Sequence, residues 1–318
     1  MPKTIGWVTC VRWYAHVRLR DWALMGVVAL TWAGGWIAGK VADQSAPPLT
    51  WSAVRFLVAG VVLLVLARAT GSRIPWSRWP GLLALAASGI VAYNAFVFIG
   101  LVSAPASDGG LLVPTFTPAL ATVLAAPFAG EPLRRDSIVG LIVSMTGVAL
   151  VVIGGAGLAG GDSARLVGDL LILGGALCWA IYTIVGKSVL RSGSPLGVTA
   201  VAAFAGGVIL VPLAIVEGGM DTVTSWPLQA WGAIGYMVLF PTVIGFVGFY
   251  QLVVRIGAGR AALTSYMVPV GTLILATLLL GERVSSLQLA GGALTLVGMR
   301  IATLPERDVF WLRRLVGI

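Results

Sequence analysis

The sequence predicts an all-α integral membrane protein whose ten transmembrane helices form two inverted repeats of five helices each. Hydrophobic residues make up 58% of its 318 residues and charged residues only 10%, with a mean hydropathy of +0.97. A soluble domain carries about 25% charged residues. Apolar runs of about 20 residues, long enough to cross a hydrocarbon core of roughly 30 Å, follow one another along the chain. Sequence landmarks of the first half return in the second half.

The apolar runs lie between charged and turn-forming residues, and each predicts one helix. They cover residues 22–41, 50–69, 80–101, 106–129, 135–155, 168–190, 195–216, 228–251, 258–280 and 285–304. The connections are short, so no soluble domain fits between the helices. The predicted organisation is a basic N-terminal arm at 1–21, a first repeat at 22–155, a linker at 156–167, a second repeat at 168–304 and a basic tail at 305–318.

The internal repeat is visible in matched landmarks. Pro118 lies 13 residues before Glu131, and Pro269 lies 13 residues before Glu282. Five is an odd number of helices, so the second repeat enters the membrane upside down. Proline-interrupted helices at matching positions in two halves of a membrane protein point to a binding site near the bilayer midplane.

Basic residues orient the predicted helices. Lys and Arg concentrate on alternate connections and at both ends of the chain, which predicts that both termini are cytoplasmic. The formal net charge of +9 does not form a basic stripe along one surface, so no nucleic-acid partner is expected. The expected partners are a lipid bilayer and a small-molecule substrate, and the chain is expected to be a monomer or a weak homodimer.

Three motifs carry a resemblance to a known family. They are TWAGGWIAGK at 31–40, PPLTWSAVRF at 47–56, and the two units in which a proline precedes a Gly-Glu pair. Together they resemble the EamA-type, ten-helix branch of the drug/metabolite transporter superfamily. The resemblance implies a small-metabolite exporter in the bacterial inner membrane. Within the family the chain is most similar to the amino-acid exporters, and aromatic amino acids are its preferred expected substrates. The alternative is an exporter of drugs or nucleotide-sugar-like metabolites, with or without proton coupling.

Arg55 is the first candidate binding residue. It lies about five residues into the second predicted helix, roughly 7 Å below the surface of the membrane. A charge at a helix centre costs on the order of 3 kcal/mol on insertion scales, so an intramembrane Arg faces a cavity or a partner. One interpretation is a structural pair with Asp108 or a side chain that reaches the headgroups. The other is a bidentate pair with a substrate carboxylate.

Prolines and mid-helix aromatic residues form the second group of candidates. Pro118 and Pro269 each free a backbone carbonyl. In one interpretation these carbonyls bind an ammonium group of the substrate, and in the other the prolines only set the shape of their helices. Aromatic and amide side chains near mid-helix either line a pocket for a ring-bearing substrate or pack the bundle. These are Trp32, Trp36, Tyr93, Asn94, Phe98, Trp179, Tyr182, Phe246, Tyr250 and Tyr266.

Charged residues at helix ends are assigned gating or structural roles. Glu131 and Glu282 follow the two proline helices, and Lys40 and Lys187 end their own helices. A Lys at the C-terminal end of a helix interacts favourably with the helix dipole.

The sequence contains no catalytic or nucleotide-binding motif. We find no HExxH, GxSxG or P-loop pattern, so no enzyme activity, metal, cofactor or ATP dependence is expected. No Asp or Glu lies near the centre of a predicted helix, whereas proton-driven carriers commonly use such a carboxylate. This absence favours a facilitated exporter.

Overall fold

The computed structural model describes residues 18–129, 135–156, 162–256, 261 and 264–302. Within these ranges the chain is helical and contains no strand. We number its helices α1 Leu19–Asp43, α2 Pro48–Ala69, α3 Trp76–Ser103, α4 Ala106–Ala129, α5 Arg135–Ala156, α6 Ser163–Val189, α7 Pro195–Glu217, α8 Leu228–Ile256, α9 Thr264–Leu280 and α10 Ser286–Ala302.

The helices fit a membrane-spanning fold. Helices α1 to α8 are long and apolar enough to cross a bilayer, and α9 and α10 are apolar helices of 17 described residues each. Their apolar side chains face outward as well as inward, as expected for a protein surrounded by lipid. The predicted all-α membrane fold is therefore confirmed.

One helix start differs clearly from the prediction. Helix α6 begins at Ser163, not at residue 168, because the side chain of Asp162 caps it. That carboxylate accepts hydrogen bonds from the backbone N–H groups of Ala164 and Arg165, both at 3.1 Å. An N-terminal cap of this kind satisfies donors that the helix cannot pair internally. Residues 163–167 of the predicted linker are thus helical.

The packing of equivalent helices shows the inversion. Gly60 of α2 meets Phe204 of α7, whereas Gly207 of α7 meets Leu57 of α2. Residue numbers therefore rise along one helix as they fall along the other, so α2 and α7 are antiparallel. Since these are the second helices of the two repeats, the repeats are related by inversion.

The same relation holds for the last helices of the repeats, α5 and α10. Gly140 packs against Gly298, and Gly147 packs against Gly291. A Cβ atom added to Gly291 would lie 2.6 Å from the carbonyl oxygen of Gly147. Glycine is thus required for this close approach of two backbones, as in other small-residue contacts between membrane helices.

Helices α3 and α8 each contain a π-helical segment, over Ala86–Ala92 and Val238–Phe246 respectively. These are the third helices of the two repeats. A π-helical turn changes the register of the backbone hydrogen bonds and is frequent at functional sites. Both segments border the space between the repeats. On one side of this space α1 packs against α8 and α9, and on the other side α6 packs against α3 and α4.

Candidate functional site

A cavity of about 490 Å³ lies between the two repeats, with lining residues from α1, α2, α3, α4, α6, α8 and α9. Its size is typical of a small-molecule site. Most of the predicted substrate-binding residues line it, namely Trp32, Trp36, Arg55, Tyr93, Phe98, Pro118, Trp179, Tyr182, Phe246 and Tyr250. Asn94, Tyr266 and Pro269 do not line it.

Aromatic rings form a continuous wall along the cavity. The ring of Trp179 lies 4.8 Å from that of Tyr182, 4.9 Å from Tyr93 and 5.4 Å from Phe246, measured between centroids. The ring of Trp32 meets that of Trp179 edge to face at 6.4 Å. Trp32 and Trp179 occupy equivalent positions in the two repeats, so the inversion brings them together. Offset and edge-to-face arrangements are those that aromatic rings favour.

Arg55 is the buried cation of the site, with only 4% of its surface exposed. Its Nε and one terminal nitrogen donate to the hydroxyl of Thr242 at 3.0 and 2.9 Å. Its other terminal nitrogen donates to Oδ1 of Asn94 at 3.3 Å. A guanidinium has five N–H donors, and these three bonds leave two of them for another acceptor. No carboxylate among the described residues forms an ion pair with Arg55.

The two acceptors of Arg55 are held in fixed orientations by the π-helical segments. The hydroxyl of Thr242 donates to the carbonyl of Met237 at 2.8 Å, so its lone pairs face Arg55. The amide nitrogen of Asn94 donates to the carbonyl of Ile90 at 2.7 Å, which turns its oxygen toward Arg55. One acceptor thus comes from each repeat. Asn94 serves the site by positioning Arg55 and not by lining the cavity.

The predicted Arg55–Asp108 pair is wrong. Asp108 instead forms an ion pair with Arg165 of α6, at 2.7 Å between the carboxylate and a terminal guanidinium nitrogen. Its other oxygen accepts a hydrogen bond from Gln288 of α10 at 2.6 Å. The sequence prediction failed because Arg165 was placed in a loop, whereas the early start of α6 brings it against α4.

Each proline helix has a backbone carbonyl without its helical donor in a residue that lines the cavity. Proline has no N–H, so Pro118 leaves the carbonyl of Pro114 without its helical donor, and Pro269 does the same for Ser265. Pro114 and Ser265 both line the cavity, in equivalent positions of the two repeats. Each repeat thus carries a carbonyl without a helical donor beside the site, on α4 and on α9.

The cavity is closed at one end, which we call the Lys40 end. There Lys40 donates to the carbonyls of Leu101 and Ala104 at 2.5 and 2.9 Å, joining α1 to the end of α3. The carboxylate of Glu282 accepts from the backbone N–H groups of Ala106 and Ser107 at 2.8 and 2.9 Å, joining the end of α9 to the start of α4. Trp36 and Phe98 are buried beneath this layer, at 7% and 4% exposure.

The opposite end is open. Thr183 and Lys187, near the C-terminal end of α6, line the cavity and are exposed. Lys187 was predicted to be gating or structural, and the structure gives it a place at this mouth. Glu131 lies outside the described residues. Within the described ranges we find no cluster of His, Cys, Asp and Glu side chains that could hold a metal ion.

Sequence reasoning missed several lining residues, notably Met237, Pro241 and Phe249 of α8. It also missed Thr242, whose hydroxyl holds Arg55. The π-helical segment shifts the faces of α8, so ordinary helical spacing does not identify which of its residues point inward. Pro241 within an apolar run was the available signal for this irregularity.

Comparison with known families finds the same duplication. A sequence profile of the EamA-like transporter family matches residues 22–153 and again residues 166–304. The chain is 31% identical over 283 residues to a "Probable terminal-alkyne amino-acid exporter" of Streptantibioticus cattleyicolor, covering 88% of this chain and 92% of that relative. It is 28% identical over 259 residues to the uncharacterized transporter YyaM of Bacillus subtilis, covering 80% and 84% of the two chains.

Further comparisons agree. The chain is 27% identical over 269 residues to the uncharacterized inner membrane transporter YedA of Escherichia coli K12, covering 81% of this chain and 82% of that one. A crystal structure with 23% sequence identity superimposes with a TM-score of 0.63, covering 94% of this chain and 99% of that chain. This structural likeness supports the fold.

Proposed function

Because the chain belongs to the EamA-like transporter family, we propose that it exports amino acids, with aromatic ones preferred, across the bacterial inner membrane. Both termini lie in the cytoplasm in this proposal. The observation that carries it is the buried guanidinium of Arg55, which borders an aromatic cavity and has no carboxylate partner among the described residues. A buried charge without a counter-ion is costly. A substrate carboxylate supplies that counter-ion.

An amino acid matches the chemistry of the cavity at three points. Its carboxylate accepts the two remaining N–H donors of Arg55 in a bidentate pair. Its ammonium group donates to the carbonyls of Pro114 and Ser265. Its side chain, when aromatic, packs on the wall formed by Trp32 and Trp179. The exporter of Streptantibioticus cattleyicolor, whose name refers to an amino acid, supports this substrate class.

The distribution of cations argues against a nucleotide-sugar substrate. The cations among the described lining residues are Arg55 and Lys187. Lys187 lies eight residues beyond Trp179 on α6, which is about 12 Å along the helix axis. The phosphates of a diphosphate are adjacent and favour several neighbouring cations. The site therefore suits one carboxylate better than a diphosphate.

We propose that transport proceeds by alternating access, with the two repeats rocking around the fixed site. The structure has the cavity open at the Lys187 mouth and closed at the Lys40 end. The cavity lining contains no carboxylate among the described residues. That lining favours a facilitated mechanism, in which the substrate gradient drives export.

The test is counterflow in proteoliposomes that contain the purified protein and no ion gradient. Labelled phenylalanine, tryptophan and leucine are compared with phenethylamine, which keeps the ring and lacks the carboxylate. We expect saturable exchange of the amino acids, fastest for the aromatic ones, and none of the amine. Arg55→Gln is expected to raise KM at least tenfold, whereas Arg68→Gln, an exposed residue on the same helix, leaves it unchanged. Exchange of no amino acid would refute the proposed substrate class.

A further inference from the structure

Two aspartates of different repeats are buried together at the Lys40 end. Asp108 of α4 and Asp169 of α6 each have 0% of their surface exposed. Arg165, which bonds to Asp108 at 2.7 Å, lies four residues before Asp169 on the same face of α6, so the two carboxyl groups are neighbours. Asp169 lies six residues into α6 as the structure bounds it. Both aspartates lie near the starts of their helices, so the absence of acids from the helix centres does not reveal them.

The hydrogen bonds are divided unequally between the two carboxyl groups. Both oxygens of Asp108 have donors, because Arg165 bonds to one at 2.7 and 2.8 Å and Gln288 to the other at 2.6 Å. Neither oxygen of Asp169 has a hydrogen-bond partner. Two ionised carboxylates cannot bond to each other, since neither has a hydrogen to donate. A proton on Asp169 would supply the missing donor and remove a buried charge.

The surrounding charges also favour a proton on one of the two carboxyl groups. Asp108 and Asp169 would bring two negative charges, and the neighbouring cation is Arg165, which pairs with Asp108 and lies one turn before Asp169 on α6. From α1, Lys40 interacts with Asp108 at longer range and also with Asp43 and Glu282. From α10 the neighbour is the neutral Gln288. One Arg balances one carboxylate, and two like charges that share a buried site do not both stay ionised.

We propose that Asp108 and Asp169 form a proton-binding site that holds one shared proton while the Lys40 end of the cavity is closed. The proton lies between the two carboxyl groups, donated by Asp169 and accepted by Asp108. The site thereby ties α4 of one repeat to α6 of the other, beside the ion pair with Arg165. The proton-binding site is part of the closed Lys40 end and not of the substrate cavity, since neither aspartate is among the residues that line the cavity.

The site binds and releases its proton at one face of the membrane. Opening the Lys40 end separates α4 from α6 and admits water, so both carboxyl groups ionise and the proton leaves. Trp36 and Phe98 line the cavity toward the Lys40 end and are buried. Exchange with the solvent at the Lys187 mouth is therefore blocked. Acid at the Lys40 face stabilises the closed state, by up to about tenfold in the closed-to-open ratio per pH unit for one proton. A pH gradient does not drive transport through this site.

The direct test is infrared difference spectroscopy on the purified protein at pH 7, which needs no substrate and is independent of the proposed amino-acid export. A protonated carboxyl group has a C=O stretching band separate from the carboxylate bands. We expect this band to be positive in the spectrum of the wild-type protein minus that of Asp169→Asn. Subtraction removes the contributions of all other acids. Asp221→Asn, an exposed acid at the same end of the bundle, is expected to give no such band.

Asp108→Asn provides a second variant. It leaves Asp169 as the single acid beside Arg165, so Asp169 ionises and the same band is lost. If the wild-type spectrum differs from neither aspartate variant in this band, both carboxyl groups are ionised and the proposal is overturned. Asp169→Asn keeps the shape of the protonated side chain, and unchanged thermal stability at pH 7 is expected. Unfolding of that variant leaves Asp108→Asn as the deciding measurement.

A transport measurement distinguishes a proton lock from proton coupling. With the pH varied only at the Lys40 face, the wild-type exchange rate is expected to fall as that side becomes more acidic. The exchange rate of the Asp169→Asn protein is expected to be low and independent of pH. Uphill accumulation of substrate under an imposed pH gradient, lost in Asp169→Asn, would instead mean that this proton crosses the membrane, which overturns the one-face exchange.

Discussion

At the residue scale, the site depends on how Thr242 holds Arg55. The hydroxyl accepts from two nitrogens of Arg55 and donates to the carbonyl of Met237. A flexible side chain is thereby fixed without placing an opposite charge beside it. An aspartate in place of Thr242 would bind Arg55 more strongly but would also neutralise it. Neutral acceptors preserve the attraction for a carboxylate substrate.

We therefore predict that Thr242→Val weakens substrate binding. The loss of two acceptor contacts is expected to raise KM about three- to tenfold and to leave kcat within about twofold, because the charge remains but is less well oriented. Counterflow kinetics provide the measurement. Thr146→Val is the matched control, since that hydroxyl is exposed and bonds only within α5. A change in kcat alone would assign Thr242 to the conformational step instead.

The sequence predicted that Arg55 lies within the membrane but could not predict its partners. An Arg inside an apolar run has to face a cavity or another polar group, whatever the details of the fold. Thr242 and Asn94 are 187 and 39 residues away along the chain. Their orientation depends on π-helical turns that ordinary hydrophobic periodicity does not reveal. The Asp108 prediction failed for a related reason, because the Asp162 cap moves Arg165 into a helix.

At the element scale, acidic side chains from one repeat cap helices of the other. Glu282, at the end of α9, accepts from the first N–H groups of α4. Glu217, at the end of α7, accepts from the backbone N–H groups of Leu49 and Thr50 in α2, at 3.0 and 2.8 Å. The first N–H groups of a helix have no internal partner, and a carboxylate there also meets the positive end of the helix dipole.

We expect Glu282→Gln to lower the free energy of unfolding by about 1–2 kcal/mol, since the amide keeps one acceptor but loses the charge. Thermal unfolding in detergent is the measurement. The variant is also expected to shorten the lifetime of the closed Lys40 end, because the cap joins α9 to α4. Asp221→Asn, which removes an exposed acid at that end, serves as the control and should unfold like the wild type. Equal stability of Glu282→Gln would show that the cap contributes little.

The helix pairs α2–α7 and α5–α10 depend on glycine in a way that hydropathy does not indicate. Hydropathy located all ten apolar runs, because the bilayer imposes length and composition on each helix. It gave no information on which helix faces approach closely. Gly140 and Gly147 recur 151 residues later as Gly291 and Gly298, but only the structure shows that the two sets pack against each other.

We predict that Gly60→Ala destabilises the protein by about 1–3 kcal/mol, because the added Cβ would lie 2.6 Å from the backbone Cα of Phe204. Gly232→Ala is the matched control, since it adds the same methyl group to α8 with no heavy atom within 4 Å. Thermal unfolding of the two variants in parallel decides the point. A stable Gly60→Ala protein would mean that α2 and α7 can separate without cost.

At the scale of the whole molecule, inversion gives two similar ends but different closures. Trp36 corresponds by position to Thr183, and Arg55 corresponds to Ala202. The large and charged members of these pairs lie toward the Lys40 end, where the cavity is closed. Of the small members, Thr183 lines the cavity at the open Lys187 mouth, whereas Ala202 is buried and does not line it. The repeat could be predicted from the sequence, whereas which end is open depends on side chains that break the symmetry.

Alternating access predicts opposite changes at the two ends, which single cysteines can measure. The background replaces the two native cysteines, Cys10 and Cys178, with Ser. While the Lys187 mouth is open and the Lys40 end is closed, we expect a soluble maleimide to label Thr183→Cys rapidly, because that position is exposed at the open mouth. Ser107→Cys, at 1% exposure beneath the Glu282 cap, is expected to react slowly. Thr70→Cys, in an exposed turn, provides the control.

Adding an exported amino acid starts cycling between the two states in nanodiscs, where both faces meet the reagent. Labelling of Thr183→Cys should then slow, both because substrate occupies the cavity and because the mouth closes for part of each cycle. Labelling of Ser107→Cys should accelerate at least severalfold, since the start of α4 separates from α6 and α9 when the Lys40 end opens. Faster labelling at both positions would indicate general loosening. Slower labelling at Thr183→Cys alone would indicate a binding protein that never opens its second end.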